Sequence, residues 1–282
     1  MSNIYNELLF LKSALSFDNP FINTQAVINW VKDQNNFVSV EINKIPFSDL
    51  KLWHFDNDNS RLQHNTGKFF SIDGIRINTN WGNVSTWDQP IINQPEIGYL
   101  GFITKEFNGI LHFLLQAKIE PGNINYVQLS PTLQATKSNY TQVHKGKSPA
   151  YLDYFVNAKP NQILLDQLQS EQGARFLRKR NRNIIIKIEE DIILFENFVW
   201  CTLAQIKELM KVDNLVNMDT RTVISGIPYG TYSDLQIDLF SFLDNHKLTN
   251  SFQARILKSM LSSESAVSSF DSIIKFVTCH KS

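Results

Sequence analysis

The sequence predicts an α+β fold: a mixed, mostly antiparallel sheet flanked by helices, with helical extensions at the two ends. Three observations carry this expectation. Apolar residues alternate with period two from Phe69 to Asn78, the spacing that sends successive side chains to opposite faces of a sheet. Asn108-Gly109 stands between two apolar segments, and this dipeptide tolerates the positive φ angles of a tight hairpin better than most. Helix-period segments lie toward both ends of the chain. With 43% apolar and only 19% charged residues in 282, the chain can build a core and lacks the signature of disorder.

Residues 1–60 read as a helical arm. Ile4, Leu8, Leu9 and Leu11 recur at roughly helical spacing, Asn19-Pro20 punctuates, and a second short helix runs from Thr24 through Trp30 and Val31. Residues 61–230 form the main domain, with strands at Phe69 to Asn78, Gly98 to Thr104, Ile110 to Ile119 and Asn125 to Leu129. Pro160-Asn161 opens a predicted helix from Gln162 to Gln172, closed by Gly173 where a helix end favours a left-handed residue. Asn183 to Ile188 is a further strand, Thr202 caps a helix through Met210, and residues 231–282 carry at least two more helices. No second copy of the sheet pattern is present.

Twenty-seven Lys and Arg balance twenty-seven Asp and Glu. That removes the bulk positive field needed for non-specific binding to nucleic acid or an anionic membrane, so any anionic ligand must be met locally. No apolar run approaches the ~18 residues of a membrane span, and the N-terminus has no basic region and no small-residue cleavage site after an apolar stretch, so it does not read as a signal peptide. Cys201 and Cys279 are isolated, without disulfide or zinc-site spacing, which makes the cytoplasm the expected compartment and a metal site unexpected.

The segment from His112 to Glu120 is the richest in chemistry. As a strand it puts Phe113, Leu115, Ala117 and Ile119 on a core face and His112, Leu114, Gln116, Lys118 and Glu120 on a polar one. An imidazole, an amide, a cation and a carboxylate then share one face; a merely solvated outer sheet face would explain the same alternation. Gln134 and Tyr140 extend the supply of amides and hydroxyls suited to reading a sugar. Arg175, Arg178, Lys179, Arg180 and Arg182 form a basic run which is either a solvated face or a guanidinium cluster for a diphosphate. Arg221 is a lesser candidate, and Asp219 a helix cap. Trp53, Trp81 and Trp87 are able to stack on a base or a sugar.

Taken in order, Trp87-Asp88-Gln89-Pro90, His112-Phe113-Leu114, Glu120-Pro121-Gly122, Pro131-Thr132-Leu133-Gln134, Ser170-Glu171-Gln172-Gly173 with Arg175-Phe176, Asn181-Arg182-Asn183 and Asn217-Met218-Asp219-Thr220-Arg221-Thr222-Val223 resemble the NDP-hexose 2,3-dehydratases. The resemblance covers roughly Ile45 to Tyr229. It implies a Nudix-like fold and a nucleoside-diphosphate 4-keto-6-deoxyhexose substrate, typically thymidine-linked. Members of that family typically carry two tandem copies of the domain and this chain one, so the resemblance further implies a homodimer. The Nudix comparison also raises a hydrolase. In the stretch from Asp166 to Gly173, Gln167 and Ser170 stand where a metal-binding Nudix helix expects acids, which argues against pyrophosphate cleavage.

The implied reaction is a β-elimination without a redox cofactor. A base removes the hydrogen on carbon-3, acidified by the carbon-4 ketone; the enolate expels the carbon-2 hydroxyl, and the enol relaxes to a 3,4-diketone. Glu120 and His112 are the expected base and acid, in either order, Lys118 the enolate-stabilising cation and Tyr140 a reserve acid. Trp87, Gln89, Gln116, Gln134, Arg175, Arg182, Asn217, Arg221 and Tyr229 are the expected substrate contacts. A catalytically silent sugar-nucleotide-binding subunit is the alternative.

Overall fold

The computed structural model describes residues 4–56, 58, 60–136 and 148–229. The expected C-terminal helices and Tyr140 lie outside them. The chain begins with α1 (Ile4–Leu15) and α2 (Thr24–Phe37), the latter capped by the Asn23 side chain, which accepts from the Ala26 N–H. Next comes an antiparallel meander of β1 (Trp53–Asp56), β2 (Arg61–His64), β3 (Ser71–Asn78) and β4 (Thr86–Asn93). A second, seven-stranded sheet has the order β11-β6-β5-β10-β9, with β7 paired to β6 and β8 to β5.

Its strands are β5 (Gly98–Phe107), β6 (Ile110–Ile119), β7 (Val127–Ser130), β8 (Leu133–Ala135), β9 (Ile163–Ser170), β10 (Arg180–Lys187) and β11 (Phe198–Thr202). Only β5 and β10 pair in parallel, so the mostly antiparallel α+β expectation holds. Asn108 and Gly109 both adopt positive φ, 52° and 76°, and close the β5–β6 hairpin as their residue types predict. Three short helices complete the described chain: α3 (Leu152–Val156), α4 (Leu203–Leu209) and α5 (Met218–Ser225). Thr202 caps α4 as expected, in a capping box with Gln205.

The large sheet is buried on both faces. Phe102, Phe113, Leu115 and Ile185 pack with α1, α2, α4 and α5 through Phe10, Val31, Ile206 and Val223. Ile103, Leu114, Ile184 and Trp200 pack on the other side with Leu152 and Phe155 of α3. The polar face expected for β6 is therefore confined to its last residues; from Ile110 to Leu115 the strand is buried throughout. Helices on both sides remove the solvated face that alternation alone suggests. The expected arm is likewise partly core: Leu9, Phe10, Val27 and Val31 belong to the same apolar cluster as the sheet. The Ser13 hydroxyl ties α1 down by donating to the Leu111 carbonyl and accepting from the Leu203 N–H.

The predicted helix from Gln162 to Gln172 is instead β9. Its Leu, Gln and Asp residues favour a helix locally, but β10, with three successive isoleucines, requires a partner along its free edge, and strand pairing prevails over propensity. Pro160 starts only a three-residue 3-10 turn, and Gly173 is not among the glycines with positive φ. Because this stretch is a strand, Gln167 and Ser170 do not occupy the positions of a metal-binding Nudix helix.

Near Lys118 the hairpin strands part. β5 pairs with β6 at Thr104–Phe107 but with β8 at Tyr99–Gly101, while β6 leaves β5 after Phe113 and pairs with β7 at Gln116–Ile119. Thr132, in the β7–β8 connection, bridges the strands where they separate: its hydroxyl accepts from the Ile103 N–H at 3.0 Å and donates to the Leu114 carbonyl. The splay creates the cleft described next.

Candidate active site

A cavity of about 340 Å³ opens where β5 and β6 diverge, under the first turn of α5. Gly98 and Leu100 of β5, Lys118 and Glu120 at the exit of β6, Gln134 of β8, Asn181 of β10, and Asn217, Met218 and Asp219 at the start of α5 line it. Glu171, Phe176 and Lys179, from the β9–β10 connection, complete the wall with Gln94, Ala135 and Thr136. A Cβ on Gly98 would lie 3.1 Å from both the Ala135 carbonyl and the Asn181 side-chain oxygen, so the close approach of these strands favours glycine.

The polar groups are held by one another. Gln134 donates from Nε2 to Glu120 Oε1 at 2.6 Å and accepts, at Oε1, from Asn217 Nδ2 at 3.4 Å. Asn217 also caps α5, its Oδ1 accepting from the Thr220 N–H at 2.9 Å. Lys118 Nζ lies 3.6 Å from Glu120 Oε1. Asn181 donates to Glu171, and the buried Lys179 donates to the carbonyl of Glu96.

Three carboxylates and two ammonium groups share the cleft. Burial pushes the Asp219 pKa up to about 6, helped by the Glu171 and Glu120 charges, while Lys118 pulls it back. Burial lowers the pKa of Lys118, against the pull of Glu120 and Asp219, and lowers that of Lys179, against Glu171 and Glu96. The arrangement offers a paired carboxylate, a cation beside it and a second carboxyl that titrates near neutrality: the parts of a proton-transfer site.

Of the sequence-predicted residues, Lys118, Glu120, Gln134 and Asn217 meet here. His112 does not. It sits six residues before Lys118 on the same strand, roughly 20 Å away at ~3.3 Å per residue. It is fully buried, with Nδ1 2.8 Å from the Ile110 carbonyl and its ring edge-on to Phe21 and Phe107. Desolvation lowers its pKa and favours the neutral imidazole. Gln116 is half-buried on the intervening strand and does not line the cavity.

The basic run does not converge either. Arg182 points away from the cavity, with Nε and Nη2 donating to both oxygens of Asp166 and Nη1 to the Tyr99 hydroxyl. This fork raises the Arg182 pKa and engages its charge, because β9 places Asp166 diagonally across the ladder from it. Arg175 is exposed and contributes its carbonyl to the Ile92 N–H. Only Lys179 of the run enters the cleft. Arg221 folds back on the Asn217 carbonyl, and Tyr229 packs on the core with Lys207 Nζ 4.8 Å from its ring centroid.

Trp87 and Gln89 belong to the outer sheet: Trp87 Nε1 donates to Gln89 Oε1, and Gln89 Nε2 to the Ala174 carbonyl. Trp53 packs in an aromatic cluster with His64, Phe69 and Phe70 rather than facing a ligand site. The sequence does not point to Glu171 or Asn181 as site residues, offers Lys179 only within the basic run, and gives Asp219 the capping role that Asn217 fills. Lys179 immediately precedes β10 and Asn181 is its second residue, so the two reach the cavity from the strand's entrance.

Among the described residues no helix is long and apolar enough to cross a membrane. The NDP-hexose 2,3-dehydratase family model matches residues 24–227. A protein named dTDP-4-dehydro-6-deoxy-alpha-D-glucopyranose 2,3-dehydratase from Saccharopolyspora spinosa is 49% identical over 224 residues, covering 79% of this chain and 46% of that protein. One of the same name from Amycolatopsis orientalis is 41% identical over 254 residues, covering 86% of this chain and 54% of its own. The chain thus spans about half the length of the curated relatives it matches. Among solved structures, an ADP compounds hydrolase is similar at 11% identity and a TM-score of 0.35, over 64% of this chain and 89% of that one. A C. elegans Ap4A hydrolase is similar at 14% and 0.28, over 47% and 95%. These last likenesses are too slight to argue from. The family match, spanning both walls of the cleft, and identities above 40% settle kinship: the chain belongs to the NDP-hexose 2,3-dehydratase family.

Proposed function

We propose that this chain removes water across carbons 2 and 3 of a nucleoside-diphosphate 4-keto-6-deoxyhexose, with the thymidine-linked glucose derivative as substrate. Family membership and the names of the relatives support the reaction class and the nucleotide. The observation that carries the reading is the convergence of Lys118, Glu120, Gln134 and Asn217 in one cleft.

The residues divide the work by chemistry. Glu120 removes the carbon-3 proton, oriented by the Gln134 amide. Lys118, beside it, stabilises the enolate oxygen; its position in a partly desolvated cleft strengthens that interaction over the same contact in water. Asn217 and the amide of Asn181 are placed to read sugar hydroxyls. Glu120, just beyond β6, replaces the expected His112–Glu120 pair, since His112 is sealed elsewhere in the core. A cytoplasmic homodimer belongs to the same reading.

The test is direct. Purified chain is incubated with dTDP-4-keto-6-deoxyglucose, an NADPH-dependent 3-ketoreductase and reductant, which traps the unstable diketone. Reductant consumption that requires the chain supports the assignment, and its absence at high enzyme concentration rejects it.

A further inference from the structure

Resting on that reading, we propose that Asp219 is the general acid of the elimination, donating its proton to the carbon-2 hydroxyl as the carbon–oxygen bond breaks. Carbon-3 deprotonation leaves an enolate whose electrons form the carbon-2–carbon-3 double bond as the oxygen departs. Hydroxide is a poor leaving group, so it must leave as water, and a proton has to be delivered to it as the bond breaks. The enol then takes a proton at carbon-2 and becomes the diketone; the sum is substrate minus one water.

Four groups besides Asp219 could hold a proton in the cleft, and each is otherwise engaged. Glu120 accepts from Gln134 and sits beside Lys118. Glu171 accepts from Asn181. Lys179 donates to the Glu96 carbonyl. Lys118 faces Glu120 and Asp219 as the local cation. Asp219 alone among these carboxylates has no hydrogen-bond or ion-pair partner among the described residues, although it is half-buried and lines the cavity.

Its place in the fold explains this. Asn217 already caps α5, so the carboxyl two residues on is not needed by the helix and is turned to the cleft. It comes from the helix while Glu120 comes from a strand, so acid and base reach a sugar from different walls. The same surroundings push its pKa up to about 6: burial first, then the Glu171 and Glu120 charges, disfavour a third anion, with Lys118 opposing.

The test uses the leaving group. In a substrate with fluorine in place of the carbon-2 hydroxyl, the same deprotonation expels fluoride, a far weaker base than hydroxide that needs no proton to depart. The full chain and its Asp219→Asn variant are compared on both substrates, with fluoride measured by electrode and the hydroxyl substrate followed by coupled reduction. The inference expects Asp219→Asn to lose at least ~10² in kcat on the hydroxyl substrate. On the fluoro substrate it should stay within about fivefold of the parent, which also shows that the variant is folded. Equal losses on both, no loss on the hydroxyl substrate, or a loss confined to the fluoro one each overturn the role of Asp219. Failure of the parent chain on both substrates instead overturns the dehydratase reading on which the role rests.

Discussion

Gln134 donates a 2.6 Å hydrogen bond to Glu120, linking β8 to the residue just beyond β6 across the gap where the β5–β6 hairpin opens. The amide orients a carboxylate that stands between a strand end and a turn, where the backbone alone would hold it loosely. Asn217 continues the chain of contacts from Gln134 to the first turn of α5. Strand, helix and acid/base group are thereby coupled through two side-chain amides.

Replacing Glu120 by Gln should leave substrate affinity nearly unchanged and lower kcat by at least ~10², because the glutamine keeps the shape but not the basicity. Gln134→Ala should lower kcat by about tenfold or more, since a hydrogen bond to a charged group is typically worth ~1.5–3 kcal/mol. Steady-state kinetics in the coupled reductase assay checks both; full activity in Glu120→Gln would remove that residue from the mechanism.

His112→Phe should retain turnover, as the imidazole is enclosed by Phe21 and Phe107 far from the cleft. Stability supplies the second readout. Burial holds the folded-state pKa of His112 below its ordinary value, so the unfolded chain binds more protons as the pH drops through about 6.5. The parent should therefore lose stability on acidification in part through His112, and His112→Phe should show a shallower fall in Tm from pH 7 to pH 5.

Asp219 carries the opposite sign. Its folded-state pKa, pushed up to about 6, exceeds the ordinary carboxyl value, so the folded chain binds the extra proton between the two. Stability from this group is full below the ordinary pKa and is lost as the pH rises through about 6. Asp219→Asn, which never ionises, should raise Tm more at pH 8 than at pH 5; thermal melts at the two pH values decide it.

Arg182→Ala should leave KM unaltered, because the guanidinium engages Asp166 and Tyr99 rather than the cavity. Both partners of the ion pair are about one-third exposed, so solvent screening limits its contribution to roughly 1 kcal/mol or less. Denaturant unfolding of the single and double Arg182 and Asp166 variants measures the coupling, and a raised KM would restore Arg182 to substrate binding.

Gly101→Ala should destabilise the chain by about 1–3 kcal/mol through overpacking. An added Cβ would stand 2.3 Å from the Phe155 ring and 3.0 Å from Ile184, where β5 crosses under α3. Phe155→Leu in the same chain should recover part of the loss, as read by urea midpoints.

Local chemistry was enough to determine the α+β class, the Asn108-Gly109 hairpin, the α4 cap at Thr202, and the placing of Lys118 on the strand that leads to Glu120. Each depends on φ preferences, side-chain period or capping groups within a few residues. Tertiary structure alone decided that Gln162–Gln172 contains a strand, that His112 is core and that the basic run diverges, because these depend on partners distant in sequence: β10 for β9, two covering layers for β6, and Asp166 for Arg182. It also decided the site. Residues from four separate stretches, Lys118 and Glu120, Gln134, Glu171 to Asn181, and Asn217 to Asp219, meet only where β5 and β6 separate, and that opening is a consequence of which strands pair, a choice made by the whole sheet.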